Sequence, residues 1–144
     1  MDTKRKILLI DDEELVLKLL RRVFENRHEV FTASDGASGV ELVKKEKPFF
    51  VFLDINMPGM SGIATLERIK ETGIPLTVWM LTAETDFDVA LKAMSKGAAG
   101  YITKPFRIET ILDVVFNAVE NMEDNESGRA AKDKMWRRPR TSSG

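Results

Sequence analysis

The run Phe49-Phe50-Val51-Phe52-Leu53-Asp54, five apolar residues closed by a carboxylate, decides the fold. Apolarity without alternation over that length predicts a strand buried on both faces, as in a parallel sheet. Three more such runs lie to either side, Ile7 to Ile10, Leu76 to Leu81 and Gly100 to Thr103, with a weaker fifth at Glu29 to Ala33. Between the runs, apolar residues recur at helical spacing. Leu15, Val16, Leu19, Leu20, Val23 and Phe24 form one stripe, and Ile108, Ile111, Leu112, Val115 and Val119 form another. Gly39 to Lys45, Ile63 to Ile69 and Phe87 to Met94 are shorter helical segments. Ser61 is the expected cap of the second of these, and Thr85, with Asp88 three residues on, that of the third. Five strand and helix units in strict alternation predict an α/β domain. Its parallel sheet carries helices on both faces, because parallel strands need crossovers.

Composition narrows the chemistry. The chain has 144 residues, 43% hydrophobic and 31% charged, enough for one domain with a core of its own. It has no Cys, which removes thiol catalysis, disulfides and Cys-based zinc or iron-sulfur sites. With 22 basic against 23 acidic side chains, no overall field favours nucleic acid or an anionic membrane. The basic start, Met1 to Lys6, is followed only by Ile7 to Ile10 before Asp11 and Asp12, too short for a signal-peptide core. No stretch has the 18 or so apolar residues of a membrane span. The expected location is therefore the cytoplasm.

In open parallel sheets ligands bind outside the carboxyl ends of the strands. There the sequence places Asp11 and Asp12 after the first run, Asp54 at the end of the third, Thr82 after the fourth, and Lys104 with Pro105 after the fifth. Two like charges about 4 Å apart repel by roughly 4 kcal/mol at an effective dielectric of 20, so a cation is needed among these carboxylates. An all-oxygen donor set suits Mg²⁺, or Mn²⁺, completed by water and a phosphate oxygen. Each residue alone has a plainer use. Asp11 to Glu14 suits a solvated first helical turn, Asp54 a cap, and Lys104 an ordinary surface position. His28, the only histidine, reads as a surface loop residue, and Met57 and Met60 as packing around Pro58.

Taken together, Asp11, Asp12, Asp54, Thr82 and Lys104-Pro105, with Asp54-Ile55-Asn56-Met57-Pro58-Gly59-Met60-Ser61-Gly62 and Gly97-Ala98-Ala99-Gly100-Tyr101, resemble the receiver domain of two-component response regulators. The resemblance spans about residues 5 to 121. It implies a flavodoxin-like (βα)5 doubly wound sheet with strand order 2-1-3-4-5. It implies that Asp54 takes a phosphoryl group from a histidine kinase, a phosphotransfer protein or a small phosphodonor. It implies that Asp12 and Asp54 ligate Mg²⁺ directly, Asp11 through water, and Asn56 through its backbone carbonyl. Thr82, Ala83 and Lys104 would line the phosphoryl group, Ala83 by being small enough to leave the site open, and Glu84 would overhang it alongside Asn56. The Lys104-Pro105 bond would be cis. Thr82 and Tyr101 would form the switch, and residues 85–122 would bind a downstream protein or a second copy.

On this reading the chain is a signalling domain and not an enzyme beyond its own phosphorylation and dephosphorylation. A phosphate-independent pseudo-receiver would typically lack the acceptor Asp, an acid of the pair or the Lys, and all are present. A Mg²⁺-dependent hydrolase of similar fold would need a further acid or base, and none stands out. Residues 122–144 hold six bases and four acids, with Met135 and Trp136 the large apolar groups beyond Met122, and read as a charged tail or linker. The remaining 121 residues are the receiver, with no room for a DNA-binding output. Ala99-Gly100, where winged-helix regulators carry an Asp pair, brings the sequence closer to the chemotaxis-like single-domain type. A truncated receiver of a larger regulator is the alternative.

Overall fold

The computed structural model describes residues 4–83 and 85–126, with side chains through Met122; Glu84 lies outside the described residues. Five strands, β1 (Arg5–Ile10), β2 (His28–Ala33), β3 (Phe50–Asp54), β4 (Thr77–Ala83) and β5 (Gly100–Lys104), alternate with five helices. The helices are α1 (Glu14–Phe24), α2 (Gly36–Glu46), α3 (Gly62–Glu71), α4 (Phe87–Ser95) and α5 (Ile108–Glu126). All strand pairs are parallel and the sheet order is β2-β1-β3-β4-β5, the flavodoxin-like order expected.

The period of two along each strand divides the core. Leu8 and Ile10, Val51 and Leu53, and Val78 and Met80 join Val40 and Val43 of α2, Leu66 and Ile69 of α3, and Ala90 and Ala93 of α4 in one buried cluster. The alternate residues Phe50 and Phe52 point the other way, where Phe24 of α1 stacks on Phe52 at 6.2 Å. Every residue of β3 is buried, which is why its sequence shows no alternation. Up to Ile108 the chain forms one compact unit, and from Glu109 a second.

Several expectations shift. The α1 stripe is narrower than its apolar residues suggest, since Leu20 and Phe24 are buried while Leu15 is 80% and Leu19 44% exposed. At 100° per residue Leu15 lies about 140° around the helix from Leu20, and so off its buried face. His28 is not in a loop but opens β2, its ring 5.9 Å from Phe24 and 6.0 Å from Phe49. Burial lowers its pKa, against a hydrogen bond with the Arg5 backbone that raises it. Met57 is buried in the cluster, as expected of loop packing. Ser61 caps α3, accepting from the Ala64 N–H at 3.1 Å. Thr85 does not cap α4. The cap position belongs to Asp86, whose side chain makes no capping bond. Helix α5 runs on to Glu126, past Val119 where the apolar spacing ends. The rest of the charged segment, with Met135 and Trp136, lies outside the described residues.

Candidate functional site

The chain leaves β1 toward β2 on one side and returns to β3 on the other, so the crevice of the sheet opens at the carboxyl ends of β1 and β3. Asp11 follows β1 directly, and its N–H donates to the Ala33 carbonyl at 3.1 Å. Asp54 is the last residue of β3, in register with Leu81 of β4. Oxygens of Asp11, Asp12 and Asp54 come within 4.8 Å of one another, Asp11 and Asp54 buried and Asp12 exposed. Three carboxylates converging with all-oxygen donors fit a hard divalent cation and suit neither a soft metal nor an anion.

Lys104 closes the other side. Its Nζ donates to Asp11 Oδ2 at 2.9 Å and to Glu13 Oε1 at 2.6 Å, and stands 3.8 Å from Asp54 Oδ1. Burial alone would lower the pKa of this ammonium. The hydrogen bonds of Glu13 and Asp11 and the charges of Asp11 and Asp54 outweigh burial, and the net shift is upward. Both Asp11 oxygens are engaged, Oδ2 by Lys104 and Oδ1 by the Glu13 N–H at 2.9 Å. Asp54 is held less firmly, its Oδ1 accepting from the Asn56 N–H at 3.3 Å. Burial first, then the charge of Asp11, push its pKa to about 7, with Lys104 and the Asn56 amide pulling back and a hydrogen bond with Asp12 adding to the rise.

The remaining expected residues lie on the same edge. Thr82, 1% exposed, is one position beyond Leu81 in β4, and its hydroxyl donates to the Ala83 carbonyl at 3.1 Å. Ala83 is exposed and in register with Lys104. The Lys104-Pro105 peptide is cis. Tyr101, in register with Met80, is half-buried against the core, and the Phe87 ring meets it at 6.2 Å and 70°. Three participants were given no role at the site by the sequence reading. Glu13 takes Lys104, Asp86 accepts a hydrogen bond from Asn56 Nδ2, and Gly62 lets α3 touch the backbone behind Asp54. Glu13 adjoins the Asp pair and was the one open to discovery from sequence. The others depend on loop geometry.

The Asp54 carboxyl predicts a pH effect. It binds its proton more tightly folded than unfolded, so unfolding releases protons and stability falls as pH rises from about 4 to 7. Asp54→Asn should thus stabilise the metal-free protein at pH 8, by at most about 4 kcal/mol and by less as Lys104 and water screen the charge, and by almost nothing near pH 4. Urea unfolding at the two pH values checks this, and an equal effect at both would contradict it.

Residues 7–116 match the family model of the response regulator receiver domain. Sporulation initiation phosphotransferase F of Bacillus subtilis (strain 168) is 36% identical over 111 residues, 76% of this chain and 90% of that protein. The probable C4-dicarboxylate response regulator DctR of Priestia megaterium is 36% identical over 107 residues, 72% of this chain but 46% of that protein. Among solved structures, a response regulator receiver domain protein from Clostridium thermocellum superposes with a TM-score of 0.77 at 32% identity, covering 83% of this chain and 97% of that one. Among the described residues no helix is long and apolar enough to cross a membrane.

Proposed function

The chain belongs to the response regulator receiver domain family and is a phosphorylation-dependent signalling receiver, and from that premise we propose that Asp54 is its phosphoacceptor. The observation that carries this is the unequal engagement of the carboxylates. Asp11 has both oxygens committed at 2.9 Å, to Lys104 and to the Glu13 N–H, whereas the contacts of Asp54 with the Asn56 N–H and the Lys104 ammonium are longer, 3.3 and 3.8 Å. In the step, an Asp54 oxygen forms a bond to phosphorus as the phosphorus–nitrogen bond of a phosphohistidine breaks. The electron pair stays on the imidazole, and the product is an acyl phosphate. Water later releases the phosphate and restores the carboxylate.

Mg²⁺, or Mn²⁺ in its place, would be held by Asp12 and Asp54, by Asp11 through water and by the Asn56 backbone carbonyl, a donor set that the cluster of carboxylate oxygens supports. When bound it supplies positive charge for the oxygens of the transferring group. Lys104 would turn its ammonium from Glu13 to a phosphoryl oxygen, and the Thr82 hydroxyl would leave the Ala83 carbonyl for another, with exposed Ala83 leaving room. As Thr82 moves, Tyr101 would take up the space beside it, shifting the balance between two populated states. The donor would be a histidine kinase or phosphotransfer protein, the responding surface would lie within residues 85–122, and the setting would be cytoplasmic. The receiver unit is assigned to residues 1–121, with 122–144 an appended charged segment.

Stoichiometry tests the function. Intact-mass analysis after incubation with Mg²⁺ and acetyl phosphate should show one phosphoryl group per chain; continuous turnover of external phosphoesters would instead indicate a hydrolase. Lys104→Ala should separate two roles. Removing the cation from among the carboxylates should leave Mg²⁺ binding at least as tight, while phosphoryl uptake slows about 100-fold for want of a charged donor. Calorimetric Mg²⁺ titration and timed mass spectra read the two, and weakened metal binding with normal uptake would reverse the assignment.

A further inference from the structure

Two neighbouring residues at the start of α4 touch opposite ends of the signalling route. Asp86, at the cap position with φ −101° and ψ 37°, does not cap its helix. Its carboxylate accepts instead from Asn56 Nδ2, and the Asn56 N–H donates to Asp54 Oδ1. The next residue, Phe87, sets its ring edge-on to Tyr101 while 53% exposed. One peptide unit therefore separates a hydrogen bond to the Asp54 loop from a ring contact to Tyr101.

Aspartate is among the strongest N-cap residues, a capping bond being worth about 1 kcal/mol. The first turn of α4 is short of that bond because the carboxylate is turned toward Asn56. Asp86 thus has two competing partners, the Asn56 amide and the free N–H groups of its own helix. A phosphoryl group on Asp54 would add negative charge to the loop that holds Asp86, and the positive end of the α4 dipole would attract the carboxylate it displaces.

We propose that Asp86 is a positioning residue that couples Asp54 to Tyr101: held by Asn56 while Asp54 is unmodified, it turns to cap α4 once Asp54 is phosphorylated and carries Phe87 with it against Tyr101. This deepens the reading of Asp54 as phosphoacceptor and rests on it. It assigns a route from the loop to α4 that does not pass through Thr82. It also makes the resting state depend on Asn56 through its side chain and not only its backbone.

The test uses amide and Tyr101 ring chemical shifts of the full chain with Mg²⁺, with and without beryllofluoride. The variants are Asp86→Ala, Asp86→Asn, Asn56→Ala and the Asn56→Ala, Asp86→Ala double mutant. In Asp86→Ala, shifts at Asp54 to Asn56 should still report the bound mimic, but the response of Phe87 to Ser95 and Tyr101 should shrink about twofold or more. Asp86→Asn, which can still accept in both positions but carries no charge for the phosphoryl group to displace, should restore the resting positions of the α4 amides and only part of the response. Asn56→Ala should move the α4 amides toward their mimic-bound positions before any mimic is added, and the double mutant should add nothing to Asp86→Ala. A full wild-type response in Asp86→Ala, or unmoved resting amides in Asn56→Ala, overturns the proposal. Absence of any mimic-dependent shift at Asp54 to Asn56 in the wild type would sink the phosphoacceptor reading itself, a separate result.

Discussion

Asp54→Asn protein incubated with Mg²⁺ and acetyl phosphate is expected to gain no phosphoryl mass, where the wild-type chain gains one group. An amide has no anionic oxygen to form the acyl phosphate, and the neighbours do not replace it. Asp11 is tied to Lys104 and the Glu13 amide, and Asp12 stands exposed at the rim of the cluster. A nucleophile lost without substitute costs several orders of magnitude, at least about 100-fold on the timescale of the assay. The expected spectrum shows the bare chain alone. Equal uptake by variant and wild type would place the acceptor on another carboxylate.

The second large effect is steric. A Cβ added at Gly62 would lie 2.4 Å from the Asp54 carbonyl oxygen and 2.5 Å from Ile55 Cα, backbone atoms that cannot swing aside. Helix α3 is pinned there from both directions, by the Gly62 N–H bond to the Ile55 carbonyl at 2.9 Å and by the Ser61 cap. Gly62→Ala should therefore cost about 3 kcal/mol or more and displace the end of β3 that carries Asp54. Gly59 is the control. Its φ is 78° and nothing lies within 4 Å of its missing Cβ, so Gly59→Ala should cost only about 1 kcal/mol, the penalty for left-handed backbone. Urea unfolding of the two variants measures both, and a Gly62→Ala loss no larger than that of Gly59→Ala would refute the close approach.

The parallel sheet was legible because β3 and β1 are buried on both faces and therefore carry unbroken apolar runs. The same runs show where each strand ends, which places Asp11, Asp54, Thr82 and Lys104 on one edge. Edge strand β2 was fainter, since half of its residues are only partly covered and its sequence mixes His28, Glu29 and Thr32 with apolar groups. Helix faces were less legible than helices. Leu15 and Leu19 match Leu20 in type, and only the packing angle of α1 separates exposed from buried. Least visible were contacts between loops distant in sequence. Thr85 and Asp86 are both cap types, the helix start puts Asp86 at the cap position, and its side chain turns instead to Asn56, 30 residues away. Glu13 looked like one more acid of a solvated turn until Lys104 came within 2.6 Å of it.

The central claim is that a phosphoryl group on Asp54 is felt at α4 and β5. Backbone amide shifts of the ¹⁵N-labelled chain, recorded with Mg²⁺ before and after beryllofluoride, address it most directly. The account predicts changes at Asp54 to Asn56 and Thr82 together with Tyr101 and Phe87 to Ser95. Changes confined to the loops around Asp54, with Tyr101 and α4 unmoved, would contradict it.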